Sequence, residues 1–208
     1  KEILGVAKEG GFEFLQLDRS VPAVLIMGGS QGARAINETV LDALADLVTR
    51  YNVGHQTGTA NLDETTKIAS VILKNSPNAS RYHPFGLLNT LSLRMAAGSS
   101  SVIIARAGSG TIFEVASWGI PAILIPIPQE VSHDQTENAF SYARSGGASV
   151  IEQHNLTPHV LAAEIDRLMR DLKLREEMQA AAKTFAQPEA ARKIARMLLD
   201  IGLEHESV

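Results

Sequence analysis

Short runs of apolar, β-branched residues alternate with segments of helical period along most of this chain, and few folds are compatible with that alternation. Strands are expected near 23–27, 52–57, 79–83, 101–105, 121–127 and 148–151, with helices near 33–49, 61–74, 89–97, 111–118 and 134–145. Each helical segment is long enough to carry the chain back across a sheet, so that the next strand runs parallel to the last. The pattern predicts an α/β fold, a doubly wound parallel sheet with helices on both faces. From Thr157 the character changes. Thr157 as N-cap and Pro158 at the first helical position open a helix with Leu161, Ile165, Leu168 and Leu172 on one side. After Pro188 a last helix carries Ala191, Ile194, Ala195 and Leu198 at helical spacing, able to pack on this domain or on something outside it.

At 208 residues and 45% hydrophobic content the chain can bury a full core. We read it as a single domain over 1–208, with a core of about 20–152 and a helical tail of about 157–208. A formal charge of -4 and the lack of a basic stripe argue against a nucleic-acid surface. There is no cysteine, which rules out disulfides and thiolate metal sites and fits a reducing cytoplasm. The longest apolar run, Ile120 to Pro128, is broken by prolines and falls short of the ~18 residues a membrane span needs. The chain starts at Lys1 with no signal-peptide pattern, as expected of a piece of a longer protein.

Two stretches share one plan. In "AVLIMGGSQGARAIN" (23–37) and "SVIIARAGSGTIFEVASWG" (101–119) an apolar strand breaks into a glycine-rich turn just where a helix begins. Turns stripped of side chains expose their amides, and amides at a helix start favour an anion. In open α/β sheets ligands bind at the carboxyl ends of the strands, so two such turns can face one diphosphate. Neither turn is a dinucleotide fingerprint, because "GGSQGA" lacks the required spacing and the second strand, "NVGHQTG", ends without an acidic residue to hold a ribose. Neither is a Walker loop, since no Gly-Lys-Ser/Thr follows. A dehydrogenase and an ATPase are therefore disfavoured.

Glu114 follows the second turn closely. It can complement the helix dipole, or it can accept two hydrogen bonds from the vicinal hydroxyls of a ribose whose phosphates rest on the turn. In "PIPQEVSHDQTENA" (126–139) the polar residues Asp134, Gln135 and Asn138 fall where the next helix starts. Such groups suit the hydroxyls of a hexose, and Asp134 can alternatively serve as a plain helix cap. Six scattered histidines show no ligand spacing, so no metal site is expected.

"GGSQGARAIN", "RAGSGTIFEVASWGIPAILIPIP" and "HDQTENA", in this order and spacing, closely resemble the C-terminal, nucleotide-sugar half of the MurG-type peptidoglycan N-acetylglucosaminyltransferases. The resemblance covers about residues 20 to 152 strongly and the tail loosely. It implies a Rossmann-like domain forming one half of a GT-B glycosyltransferase, with the N-terminal acceptor domain absent from this sequence. Ser30, with the amides of Gln31 and Gly32, would contact the diphosphate, and Ala107, Gly108, Ser109, Gly110 and Thr111 would form the second wall. Glu114 would hold the ribose, Gln135 and Asp134 would read the sugar, and Asn138 would serve either ligand or structure. Phe85 to Leu88, with Phe85 and Leu87 foremost, match the segment that cradles uracil, where backbone groups read the base; Phe85 packing in the core is the alternative. Arg106 matches a motif arginine of structural character.

There are departures from the family pattern. Asp134 stands where members often carry glutamine or histidine, and "KEIL" corresponds to the sequence just after a Gly-Asn-Pro-x-Arg segment whose arginine helps bind the phosphates. The implied reaction is an inverting transfer of N-acetylglucosamine from UDP-N-acetylglucosamine to a lipid-linked muramyl-pentapeptide. It needs no cofactor, and its general base belongs to the missing half. The implied location is cytoplasmic, peripheral at the inner face of the membrane. The alternatives are another glycosyltransferase of the superfamily, such as a diacylglycerol glucosyltransferase, or a subunit that works only with a partner chain.

Overall fold

A computed structural model describes residues 5–7, 10–29 and 33–205. Ser30, Gln31 and Gly32, three of the expected phosphate contacts, lie outside the described residues. The strands are β1 (Ala23–Met27), β2 (Asn52–Gln56), β3 (Tyr82–Phe85), β4 (Val102–Ala105), β5 (Ala122–Leu124) and β6 (Ala148–Val150). They form one six-stranded, wholly parallel sheet in the order β3-β2-β1-β4-β5-β6. The helices are α1 (Gly11–Phe14), α2 (Arg34–Arg50), α3 (Leu62–Ile72), α4 (Thr90–Ser99), α5 (Ser109–Trp118), α6 (His133–Arg144), α7 (Pro158–Arg170), α8 (Leu172–Phe185) and α9 (Ala190–His205).

Parallel strands covered on both faces must be apolar throughout, and β1 and β4 are buried at every position. Two apolar clusters flank the sheet. Alternate residues of β1 divide between them: Val24 and Ile26 join Val40, Leu44 and Leu47 of α2, whereas Leu25 and Met27 join Val115 of α5 and Tyr142 of α6. Each fully buried Leu or Ile contributes about 1.5–3 kcal/mol relative to exposure.

The departures from expectation have local causes. β3 starts three residues late because Ala79–Arg81 forms a single 3-10 turn. Pro84 sits inside β3 because that strand is at the sheet's edge, where a missing N–H costs little. β5 ends at Leu124, ahead of Pro126. The helix opened by Thr157, whose Oγ1 accepts from Val160 N at 3.2 Å, stops at Arg170 rather than running on through Leu172. Asp171 ends it and caps α8, accepting from Leu174 N at 2.9 Å, so Leu172 begins a new helix and is 60% exposed. The short α1 was not apparent from periodicity. It lies so close to α4 that a Cβ on Gly11 would stand 2.5 Å from the Met95 carbonyl oxygen.

Candidate functional site

The strand order reverses direction between β1 and β4: the chain passes from β1 outward to β2 and β3, then returns to β4 and continues to β5 and β6 on the other side. At such a reversal the connections leave in opposite directions and open a crevice at the carboxyl ends. Met27 and Ala105 are the last registered pair of those two strands, so the glycine-rich turns start side by side. Both lead into helices with no side-chain cap. The first intrahelical bonds are Asn37 N to Ala33 O at 2.8 Å and Ile112 N to Gly108 O at 3.0 Å. The amides of Ser109, Gly110 and Thr111 therefore have no partner among the described residues, which is the arrangement an anion completes.

The glycines show what the second turn is for. Gly108 and Gly110 have negative φ, and a Cβ built on either meets nothing within 4 Å among the described residues. Neither backbone conformation nor packing among the described residues requires glycine there, so what glycine provides is open space in front of exposed amides. Gly29 differs, because its φ of 77° lies in the left-handed region that favours glycine. Ala107 is fully buried, so it underlies the turn as part of the core and presents no exposed surface to a ligand.

Glu114 is the sixth residue of α5, one turn too far along for the helix dipole to account for it. Its carboxyl is half-buried, has no hydrogen-bond or ion-pair partner among the described residues, and is pushed above the usual carboxylate range by desolvation. Asp134 caps nothing: the N-cap of α6 is Ser132, and Asp134 lies exposed in the first turn. Gln135 is partly committed, since its Oε1 accepts from Ile127 N at 3.2 Å; that bond ties α6 to the loop after β5 and leaves Nε2 to donate elsewhere. Asn138, one turn on, is half-buried. Arg106 has a structural role, donating to the carbonyls of Ile125 at 3.1 Å and Pro126 at 3.3 Å, and thereby fixing the β5 loop against the end of β4.

The segment after β3 is tied to the end of β2 and shares an apolar cluster with the end of β1. The Phe85 ring is partly buried against the same cluster that holds Met27, Leu88 and Ala107, whereas Leu87 is 57% exposed. The Phe85 carbonyl accepts from Thr57 N at 2.8 Å, and Leu88 N donates to Gln56 Oε1 at 3.1 Å. The main-chain groups of Gly86 and Leu87 have no hydrogen-bond partner among the described residues. Sequence reading passed over His55, Gln56 and Thr57 because a buried strand end carries no outward signal of its bonds.

The C-terminal domain model of glycosyltransferase family 28 matches residues 23–194. The chain belongs to this family. The UDP-N-acetylglucosamine–N-acetylmuramyl-(pentapeptide) pyrophosphoryl-undecaprenol N-acetylglucosamine transferase of Treponema denticola is 35% identical over 192 residues, spanning 88% of this chain and 46% of that protein. The transferase of the same name from Pediococcus pentosaceus is 34% identical over 195 residues, 93% of this chain and 52% of that one. The crystal structure of Acinetobacter baumannii MurG superposes with a TM-score of 0.73 at 29% identity, covering 93% of this chain and 54% of that structure. The chain thus spans about half the length of the relatives it matches, and its fold is that of one half of a GT-B glycosyltransferase.

Proposed function

We propose that this domain binds UDP-N-acetylglucosamine and forms the donor half of an inverting glycosyltransferase that adds N-acetylglucosamine to a lipid-linked muramyl-pentapeptide during peptidoglycan synthesis. The observation that carries this reading is the pair of uncapped helix starts side by side at the sheet's switch point, one fronted by glycines that neither φ nor packing requires. The diphosphate lies across both turns, and Glu114 accepts from the ribose hydroxyls. Gly86 and Leu87 present main-chain groups to the base, while Gln135 Nε2, Asp134 and Asn138 face the sugar.

During transfer, negative charge grows on the departing phosphate. Amides already aimed at that position stabilise the transition state without reorganising, and one such donor is worth ~2.7–4 kcal/mol. In this reading the acceptor hydroxyl, its general base and the membrane contact belong to the other half of the protein, and the whole enzyme works peripherally at the inner face of the membrane. The solvent-facing apolar residues of α9, Ile194, Met197 and Leu198, suit packing against that half.

Isothermal titration of the 208-residue domain with UDP and with UDP-N-acetylglucosamine tests the reading, alongside a transfer assay. Binding of both ligands without transfer is expected; no binding, or full turnover by the domain alone, overturns it. Stronger competition by UDP-glucose than by UDP-N-acetylglucosamine would instead favour a diacylglycerol glucosyltransferase.

A further inference from the structure

Gln56 ends β2 between the two segments proposed to hold the donor, and it is bonded to both. Its main-chain oxygen accepts from Gly28 N at 3.0 Å, in the first glycine-rich turn, and its side-chain Oε1 accepts from Leu88 N at 3.1 Å, at the end of the proposed base segment. The residue is 4% exposed. Its neighbours reinforce both links. Thr57 N donates to Phe85 O at 2.8 Å, and Thr57 O accepts from Asn37 Nδ2 at 2.9 Å and from Asn61 Nδ2 at 3.0 Å. Because Asn37 donates through Nδ2, its Oδ1 is the acceptor for His55 Nε2 at 3.0 Å. His55 is then protonated on Nε2, and its Nδ1 accepts from the Tyr82 hydroxyl at 2.9 Å. The end of β2 is thus a polar hub inside an apolar sheet, with α2 on one side and residues 85–88 on the other.

We propose that Gln56 is a positioning residue that sets the base-reading segment at a fixed distance from the diphosphate turn, and so determines the preference for UDP over other nucleoside diphosphates. Leu88 is nearly buried, so without an acceptor its N–H is left unsatisfied and residues 85–88 lose the bond that fixes their height above the sheet. Main-chain recognition of a base depends on that placement, because main-chain donors cannot change rotamer to follow a shifted ligand. The phosphates, by contrast, meet amides fixed by α2 and α5 and do not depend on the Gln56 side chain. This inference rests on the proposed donor site.

The test uses Gln56→Met, which keeps the length and removes the acceptor, and Gln56→Glu, which retains an acceptor oxygen. Affinities for UDP, CDP, ADP and inorganic pyrophosphate are measured by titration. Gln56→Met should weaken UDP about tenfold, the equivalent of ~1.4 kcal/mol, bring the nucleotides to near-equal affinity and leave pyrophosphate unchanged, whereas Gln56→Glu should keep the UDP preference. Unchanged UDP preference in Gln56→Met, or equal losses for UDP and pyrophosphate, overturns the inference. Native-state hydrogen exchange on the unmodified domain tests it independently of whether the variants fold: the Leu88 amide should be protected and the Leu87 amide not, and a freely exchanging Leu88 overturns the inference. A wild-type domain that binds no UDP overturns the donor-site reading itself, a distinguishable result.

Discussion

Gly110→Ala separates the needs of the fold from those of the ligand. Gly110 is the second residue of α5, has no positive φ, and a Cβ there meets nothing within 4 Å among the described residues. Alanine at a compatible helical position stabilises by about 0.4–1 kcal/mol, chiefly by restricting the unfolded chain. For a domain of this size that raises the melting temperature by roughly 1–4 °C. In a helix the Cα–Cβ bond tilts toward the N-terminus, so the new methyl leans into the space in front of the turn. An anionic oxygen must approach these amides to about 2.7–2.9 Å, and the methyl holds it off. Losing one such charged hydrogen bond, worth about 1.5–3 kcal/mol, lowers UDP affinity roughly 10- to 150-fold. Thermal unfolding with and without UDP reads both effects together: the free variant should melt higher, and UDP should raise its melting point less than it raises that of the unmodified domain. A variant that binds UDP with unchanged affinity would refute the assignment of the second turn to the phosphates, and one that melts several degrees lower would refute the claim that glycine is not needed for the fold.

Three further outcomes are expected. Glu114 must be ionised to accept from ribose hydroxyls, and desolvation raises its pKa, so UDP binding should weaken on acidification before an ordinary carboxylate would protonate; Glu114→Gln should bind less tightly and lose that part of the pH dependence, and the difference between the two titrations cancels the titration of the phosphates. His55 is neutral when folded, its pKa lowered from 6.5 to about 3 by burial. The unfolded chain therefore takes up the proton first, so the His55 contribution is intact above pH ~6.5 and declines by roughly 1 kcal/mol per pH unit as the pH falls toward 3; urea titrations of wild type and His55→Gln at several pH values would show the slope reduced in the variant. Ile194 and Leu198 are 57% and 64% exposed, so changing both to Glu should move the stability of the isolated domain by no more than about 0.5 kcal/mol while reducing its association with the acceptor half, read by sedimentation.

How far the sequence could be read depended on the range of the interactions involved. The sheet was legible because β1 and β4 are apolar at every position, as a parallel strand covered on both faces must be, and because helical segments long enough for a crossover separate the strands. The glycine-rich turns were legible because glycine and helix-start signals are local. Asp171 was missed as a helix boundary because the apolar spacing of Leu161, Ile165 and Leu168 runs on through Leu172, and the capping bond to Leu174 N competes with that pattern unseen. The hub at the end of β2 was invisible for a different reason: Gln56 meets Leu88 and His55 meets Tyr82 only after strand order has placed β2 beside β3. Glu114 was read as standing near the helix start, and its place one turn further along removes the dipole explanation that had competed with the ribose.

The last helix has a thermodynamic consequence. A segment the length of α9, with Ile194, Met197, Leu198 and Ile201 all more than half exposed, has little tertiary burial to hold it wound. At 16 residues it stands only just above the ~12–15 below which an isolated helix is marginal in water, so its own propensity holds it weakly. Docking on the acceptor half would add the burial this helix lacks, so on heating its far-ultraviolet circular dichroism signal should be lost ahead of the sheet in the isolated domain and together with it once that half is bound.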